Sequence, residues 1–290
     1  MLNFLLTFAE AALTGVSVLF KKMWQLETQY IKNASYAFLA VMTFFSIIVF
    51  YFTSGFDIRI NPTTLIYSLI YSAIAIISVI LLFAAMSRIN LILYSVLNNS
   101  QSLLVWIYGI IFMKEQLYAG SIISAVLFAV SIIIPIFDIK KNKTNILGYI
   151  IGIAMALNSS ASSILLKYYA ASPSKMSDST LCFYTNVFML AFILVWFLIS
   201  PDSRPSFKQL SQKKKAFVFI PFCTLCNNFS SILQLYILKT MPISLYSILI
   251  AALGFIVTFI ISKLIFKEQC YRRDILSLIL STAATIIAII

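Results

Sequence analysis

Phe112–Gly120 reads FMKEQLYAG, and Phe266–Asp274 reads FKEQCYRRD. The same Lys-Glu-Gln triplet stands twice between long apolar runs, in a chain where only 10% of residues are charged. A polar turn written twice in so apolar a setting points to a duplicated unit. The apolar runs around it decide the fold.

Hydrophobic residues make up 61% of the 290 residues, and the mean hydropathy is +1.00. Soluble domains carry roughly 45–50% apolar and about 25% charged residues, so this chain cannot present a charged surface to water on all sides. Its apolar runs have the length of bilayer spans, about 20 residues, rather than the roughly 10–14 of core helices. Ten such runs stand at 2–20, 36–53, 64–86, 91–112, 117–137, 146–166, 180–199, 216–238, 242–265 and 273–290. The largest loops, 21–35 and 200–215, leave no room for a soluble domain. The first run has no basic segment before it and no cleavage site after it, and reads as a retained span.

The formal charge of +12 does not imply nucleic acid, because the basic residues fall in short loops between runs, where they set orientation. Lys213-Lys214-Lys215 reads as a solvated loop, with anionic lipid as the alternative contact. Cys182, Cys223, Cys226 and Cys270 lie in or beside apolar segments. Cys223 and Cys226 form a CxxC, but with no histidine and no second pair they read as small buried hydrophobes rather than zinc ligands.

The two KEQ turns fall between spans four and five and between spans nine and ten. Other features recur in step. Phe20-Lys21 closes span one as Leu166-Lys167 closes span six, and RINLILYSVL at 88–97 parallels KTMPISLYSIL at 239–249. The expected fold is an all-α membrane protein of ten transmembrane helices, built as two five-helix repeats at 1–137 and 146–290 joined by the linker 138–145. Five is odd, so the second repeat is inverted, as in many transporters. Loops after the odd-numbered spans carry 16 of the 21 Lys and Arg residues, against 5 after the even-numbered ones. The positive-inside rule then makes the first set cytoplasmic and both termini external. On this reading KEQ is an interfacial turn, and Glu115 and Glu268 sit at the N-terminal dipole of the helix that follows each of them.

An apolar helix, a short turn with an acidic residue (KEQLYAG) and a Gly-containing apolar helix, all duplicated, resemble the EamA-type members of the drug/metabolite transporter superfamily. The resemblance covers the whole chain in architecture, although the second copy has Ser277 or Leu278 where the family's glycine is expected. It implies export of amino acids, metabolites or drugs, or exchange of nucleotide sugars. It also implies cytoplasmic termini, the reverse of what the loop charges give.

A charge at mid-bilayer costs about 2.5–3.5 kcal/mol on insertion scales, so one that persists has a partner, a wet cavity or a task. Glu10, in LTFAEAALTG, lies near the middle of span one, and Thr14 and Ser17 share its helical face. It reads as a cavity acid that couples proton movement to cargo or binds a cationic cargo. Its Ala-Glu setting is similar to that of the membrane Glu in small multidrug resistance transporters. The structural alternative is a protonated Glu bonded to a neighbouring helix. Its repeat mate by this alignment is Ala156.

Further polar residues form stripes: Tyr94, Asn98 and Gln101 on span four, Asn227 and Gln234 on span eight, and Asn158 on span six. Tyr184 and Asn186 on span seven lie in FYTN, which resembles in part a Phe-Tyr-Asn-Asn motif of nucleotide-sugar transporters. Amides facing lipid would be unsatisfied, so these residues are expected inward, as interhelical bonds or as cargo contacts. Lys263 reads as snorkelling to the interface.

Glu10, Thr14, Tyr94, Asn98, Gln101, Asn158, Tyr184, Asn186, Asn227 and Gln234 are thus the candidate substrate-binding residues, with Glu10 also the proton-coupling one. No P-loop is present, so a gradient or exchange supplies the energy. With no histidine and one deep carboxylate, an enzyme is not expected, and neither is a cofactor or metal. The expected function is a multi-pass plasma-membrane exporter working by alternating access. A nucleotide-sugar-like exchanger and a non-transporting subunit that binds a lipid carrier are the alternatives. Expected partners are a small-molecule cargo and the lipid bilayer, with no nucleic acid; a homodimer is left open.

Overall fold

The computed structural model describes the chain except residues 1, 32, 90, 117–118, 137–145, 201–204, 206–208, 211, 268–271 and 290. The linker 138–145 and Glu268 of the second KEQ therefore lie outside the described residues. The described residues form helices α1 (Leu2–Thr28), α2 (Ala34–Thr53), α3 (Pro62–Met86), α4 (Leu91–Asn99), α5 (Gln101–Ile111), α6 (Ala119–Ile136), α7 (Ile146–Ala171), α8 (Asp178–Ile199), α9 (Lys214–Phe217), α10 (Phe219–Thr240), α11 (Ile243–Leu264) and α12 (Arg272–Ile289). No strand is found among them.

Seven segments are long and apolar enough to cross a membrane: α1, α2, α3, α7, α8, α9 with α10, and α11. Shorter apolar helices occupy Ala119–Ile134 and Ile275–Ala284. The packing is inside out by the standard of a soluble protein. Leu198, Ile199, Ile146 and Leu264 are exposed, while Glu10, Lys21, Lys22, Asn99 and Asn228 are buried. A chain with that distribution is a multi-pass, all-helical membrane protein.

Two elements differ from the spacing of apolar runs. Helix α1 continues past Phe20 to Thr28, so Lys21 and Lys22 are buried inside a helix and not in a loop. Charge marks where hydrocarbon ends only when the side chain has no inward partner. Here Lys22 Nζ donates to the carbonyl of Met86 (2.9 Å) and Lys21 Nζ to Asn227 Oδ1 (3.3 Å). Two of the basic residues counted toward loop asymmetry thus say nothing of orientation. The run 91–112 is also interrupted, at Ser100, whose N–H bonds both Val96 and Leu97 carbonyls (3.2 Å each). That sharing tightens one turn without a proline or glycine to signal it.

The principal helix pairings are α1 with α10, α3 with α7, α2 with α8, α6 with α12, and α4 and α5 with α11. Side-chain bonds cross these contacts: Thr14 Oγ1 lies 2.7 Å from Ser230 Oγ, Asn158 Nδ2 donates to Ser78 Oγ (2.6 Å), and Ser124 Oγ donates to the Ala284 carbonyl (2.6 Å). Ser277 Oγ donates in turn to the carbonyl of Ser131.

The KEQ turn has a role beyond its own loop. Lys114 holds φ at 53° and Lys267 at 51°, a left-handed conformation that any residue with a Cβ adopts at a cost. At the first copy this turn sends Glu115 across to α11, not to the helix that follows it. Its Oε1 accepts from Ile243 N–H (2.7 Å) and its Oε2 from Ser244 N–H (2.9 Å). Two donors left open at a helix start are thereby satisfied by an anion, which the helix dipole also favours. Gly109 makes the approach possible, since a Cβ there would lie 2.8 Å from Glu115 Oε2. On the other side of the same corner, Lys167 Nζ donates to the carbonyls of Leu238 and Met241 (2.8 Å each), completing the end of α10.

Replacing Glu115 by Ala strands two N–H groups, and losing such charge-assisted bonds costs about 1.5–3 kcal/mol. The melting temperature in detergent is expected to fall clearly for Glu115→Ala and less for Glu115→Gln, which keeps one acceptor. Equal melting of wild type and Glu115→Ala would remove this corner from the account.

Candidate functional site

The helices enclose a cavity of about 320 Å³. Among the described residues its wall is supplied by α1, α2, α3, α4, α5, α7, α8, α10 and α11, while α6 and α12 contribute nothing to it. The volume is at the small end of the range of about 300–1,000 Å³ found for sites that enclose metabolite-sized ligands.

Helix α1 supplies one polar stripe. Glu10, Thr14 and Lys21 line the cavity at i, i+4 and i+11, a spacing that returns to one helical face. Glu10 is 3% exposed and Lys21 is 7% exposed. Tyr246 O–H donates to Glu10 Oε1 (2.6 Å), and Glu10 Oε2 is buried without a hydrogen-bond partner. Packed beside α1, α10 presents Asn227, Asn228, Ser230, Ser231 and Gln234 to the cavity. Asn228 Oδ1 accepts from Ser46 Oγ (2.9 Å), and its Nδ2 is buried without a partner. At the tightened turn between α4 and α5, Asn98 and Gln101 reach the cavity, and Gln101 Oε1 too is buried and unpaired. The break between α4 and α5 thus turns two amides toward the cavity.

Eight of the ten candidate residues line this cavity: Glu10, Thr14, Tyr94, Asn98, Gln101, Asn186, Asn227 and Gln234. Asn158 and Tyr184 do not. Asn158 Nδ2 donates to the Ile74 carbonyl (2.9 Å) and to Ser78 Oγ, holding α7 against α3. Tyr184 O–H donates to the Ile58 carbonyl (2.5 Å) in the segment between α2 and α3. An Asn on a polar stripe reads the same in sequence whether it bonds a neighbouring helix or faces a cavity; only the register of the partner helix separates the two.

Several polar groups at the cavity were not among the candidates. Tyr246 occupies in SLYSIL the place of Tyr94 in ILYSVL, so the repeat itself could have found it. Lys21 reads in sequence as the end of a span. Tyr71 stands in strongly apolar surroundings that carry no pattern, and Thr185 lies inside the FYTN stretch between two residues that were the more conspicuous. Lys263, read as snorkelling to the interface, is exposed at the end of α11 and does not line the cavity.

The two kinds of polar residue are separable by experiment. Asn158→Ala is expected to lower the melting temperature while leaving solvent access to the cavity unchanged. In a background lacking the native cysteines, Asn227→Cys on the cavity wall is expected to give a thiol that a small maleimide reaches in the folded protein. Labelling of Asn158→Cys as readily as Asn227→Cys would contradict this placement.

No family model matches the chain, and no curated protein matches it. Among solved structures, one described only as "Crystal structure of protein" superposes with a TM-score of 0.68 over 97% of this chain and 95% of that chain, at 11% identity. At that identity the likeness is one of fold.

Proposed function

We propose that this protein is a secondary transporter, not an enzyme, in which two inverted five-span halves rock about the central cavity and expose it to one side of the membrane at a time. The ten spans are the seven long segments together with the α4–α5 pair, α6 and α12. The observation that carries the reading is the cavity itself: a polar chamber walled by both halves, inside a molecule whose outer face is apolar.

Support for two equivalent halves comes from bonds that map onto one another when the halves are exchanged. Ser124 to the Ala284 carbonyl becomes Ser277 to the Ser131 carbonyl. Lys22 to the Met86 carbonyl becomes Lys167 to the Leu238 carbonyl. Thr14 with Ser230 becomes, one residue out of register, Asn158 with Ser78. The left-handed Lys114 matches the left-handed Lys267. If Lys22 rather than Lys21 matches Lys167, Met155, which also lines the cavity, stands opposite Glu10 in the second half in place of Ala156. The divisions at 1–137 and 146–290, the plasma-membrane location, the exporting direction and a family relation to the EamA-type transporters belong to the same proposal.

Glu10 is the coupling residue in this reading, because it supplies the one carboxyl among the described residues that line the cavity. A second reading, an exchanger of anionic cargo such as a nucleotide sugar, gains from one observation: Lys21 is buried at the cavity, where the sequence offered no lysine.

Alternating access can be tested without knowing the cargo. In a background with the four native cysteines replaced, Ser231→Cys on the cavity wall is probed with a membrane-impermeant maleimide applied to sealed vesicles of either orientation. A transporter labels from both sides, and the balance between sides shifts between mildly acidic and mildly basic buffer in the wild-type cavity but not with Glu10→Gln. Labelling from one side only, under every condition, would overturn the transport reading.

A further inference from the structure

The cavity is polarised, and its unpaired groups sort by kind. At one end stand two acceptors without donors, Glu10 Oε2 and Gln101 Oε1. Both belong to elements that bond to α11: Tyr246 donates to Glu10, and the next residue, Ser247, donates to the carbonyl of Ser102, the chain neighbour of Gln101 (3.2 Å). Toward the other end stand two donors short of acceptors. Asn228 Nδ2 has none, and Lys21 Nζ has only the neutral amide oxygen of Asn227. No carboxylate forms an ion pair with Lys21 among the described residues. A buried ammonium facing one amide is incompletely compensated, and a buried N–H with no acceptor adds to the same deficit.

Both residues belong to α1 and lie on one of its faces, their backbone positions roughly 16 Å apart along the axis at 1.5 Å per residue. The Lys21 side chain leans back toward the N-terminus of its helix, as helical side chains do, and so toward Glu10. The matching positions of the second half are Met155 and Leu166, so the polarity is not repeated there.

We propose that the cargo is an elongated dipolar molecule, whose carboxylate or phosphate binds Lys21 and Asn228 and whose ammonium or hydroxyl end binds Glu10 and Gln101. This inference rests on the transporter reading for the word cargo, but the site it describes is a binding site in either case. Compact α-amino acids, with both charges on adjacent atoms, would meet only one end. The anionic end takes a carboxylate and a phosphate by the same chemistry, and Lys21 is the residue that sets the preference for an anion.

The test is ligand affinity from thermal shifts of the purified full chain, with straight-chain ω-amino acids from aminobutyrate to aminooctanoate. Hexanoate and hexylamine serve as singly charged controls, ω-hydroxyhexanoate as the hydroxyl-ended arm, and hexyl phosphate as the phosphate arm. The wild type is expected to bind a longer ω-amino acid more tightly than alanine and than either singly charged control. Loss of a hydrogen-bonded charge contact predicts affinity about ten- to a hundredfold weaker in Lys21→Met, with the preference over hexylamine gone. Lys21→Arg keeps the charge, so the preference should survive in it, and this variant also guards against a Lys21→Met protein that fails to fold. Tighter binding of hexyl phosphate than of hexanoate would assign the anionic end to phosphate, and the reverse to carboxylate. The proposal is overturned if alanine binds as well as the longer chains, if Lys21→Met keeps the carboxylate preference, or if none of these compounds shifts the wild type. Two-sided labelling of Ser231→Cys with no dipolar preference would leave transport standing and remove this inference alone; dipolar binding with one-sided labelling would do the opposite.

Discussion

Hydrocarbon leaves a polar side chain two destinations: a partner on a neighbouring helix, or a chamber wet enough to solvate it. Most of this structure follows from how each polar residue meets that constraint. Small hydroxyls take the first route, many of them bonding a carbonyl one turn back, as Thr43 does with Leu39 and Thr224 with Ile220 (2.8 and 2.7 Å). Others bond across a helix contact and hold it in register, as Asn158 and Ser124 do. What remains, most of the longer amides together with Glu10 and Lys21 of α1, collects around one cavity. The apolar side chains are displaced outward in exchange, which is why large aliphatic residues cover the exterior.

The corners between helices obey the same constraint with the opposite means. Where α10 ends and α11 begins, backbone groups that hydrocarbon would leave unsatisfied are met by full charges, Lys167 on the carbonyls and Glu115 on the N–H groups. Both come from other parts of the chain, so the corner fastens α5 and α7 to the start of α11. In the proposed inverted arrangement this fastening joins the halves at the ends of the bundle and leaves its middle open to polar cargo. In that arrangement Lys167 at the corner has a counterpart in Lys22, which also donates to a carbonyl at a helix end, whereas Glu10 and Lys21 in the cavity have none.

What the sequence revealed depended on whether the signal was local. Membrane character, helix content and the placement of most apolar runs follow from length and hydropathy alone. The amide stripes of α4, α5 and α10 could be read because their period is that of a helix and their polarity stands out. Lys21 could not be read, because a lysine at the end of an apolar run looks like the end of a span until a partner such as Asn227 is known. The corner made by Glu115 was equally hidden, since its acceptors and donors lie more than a hundred residues apart. Asn158 and Tyr184 resemble cavity residues in every local respect and differ only in what stands opposite them. Tyr246 is the exception, a residue the repeat had already marked through Tyr94.

The central claim is that the two halves pack through equivalent contacts, α1 on α10 and α7 on α3, around one cavity. Oxidative cross-linking in a background lacking the native cysteines tests it most directly. Cysteines at Thr14 and Ser230, whose hydroxyl oxygens lie 2.7 Å apart, and separately at Asn158 and Ser78, are oxidised in native membranes. The account predicts rapid disulfide formation in both pairs and none when the partners are exchanged, Thr14 with Ser78 or Asn158 with Ser230. Cross-linking in the exchanged pairs, or in only one of the two matched pairs, would contradict it.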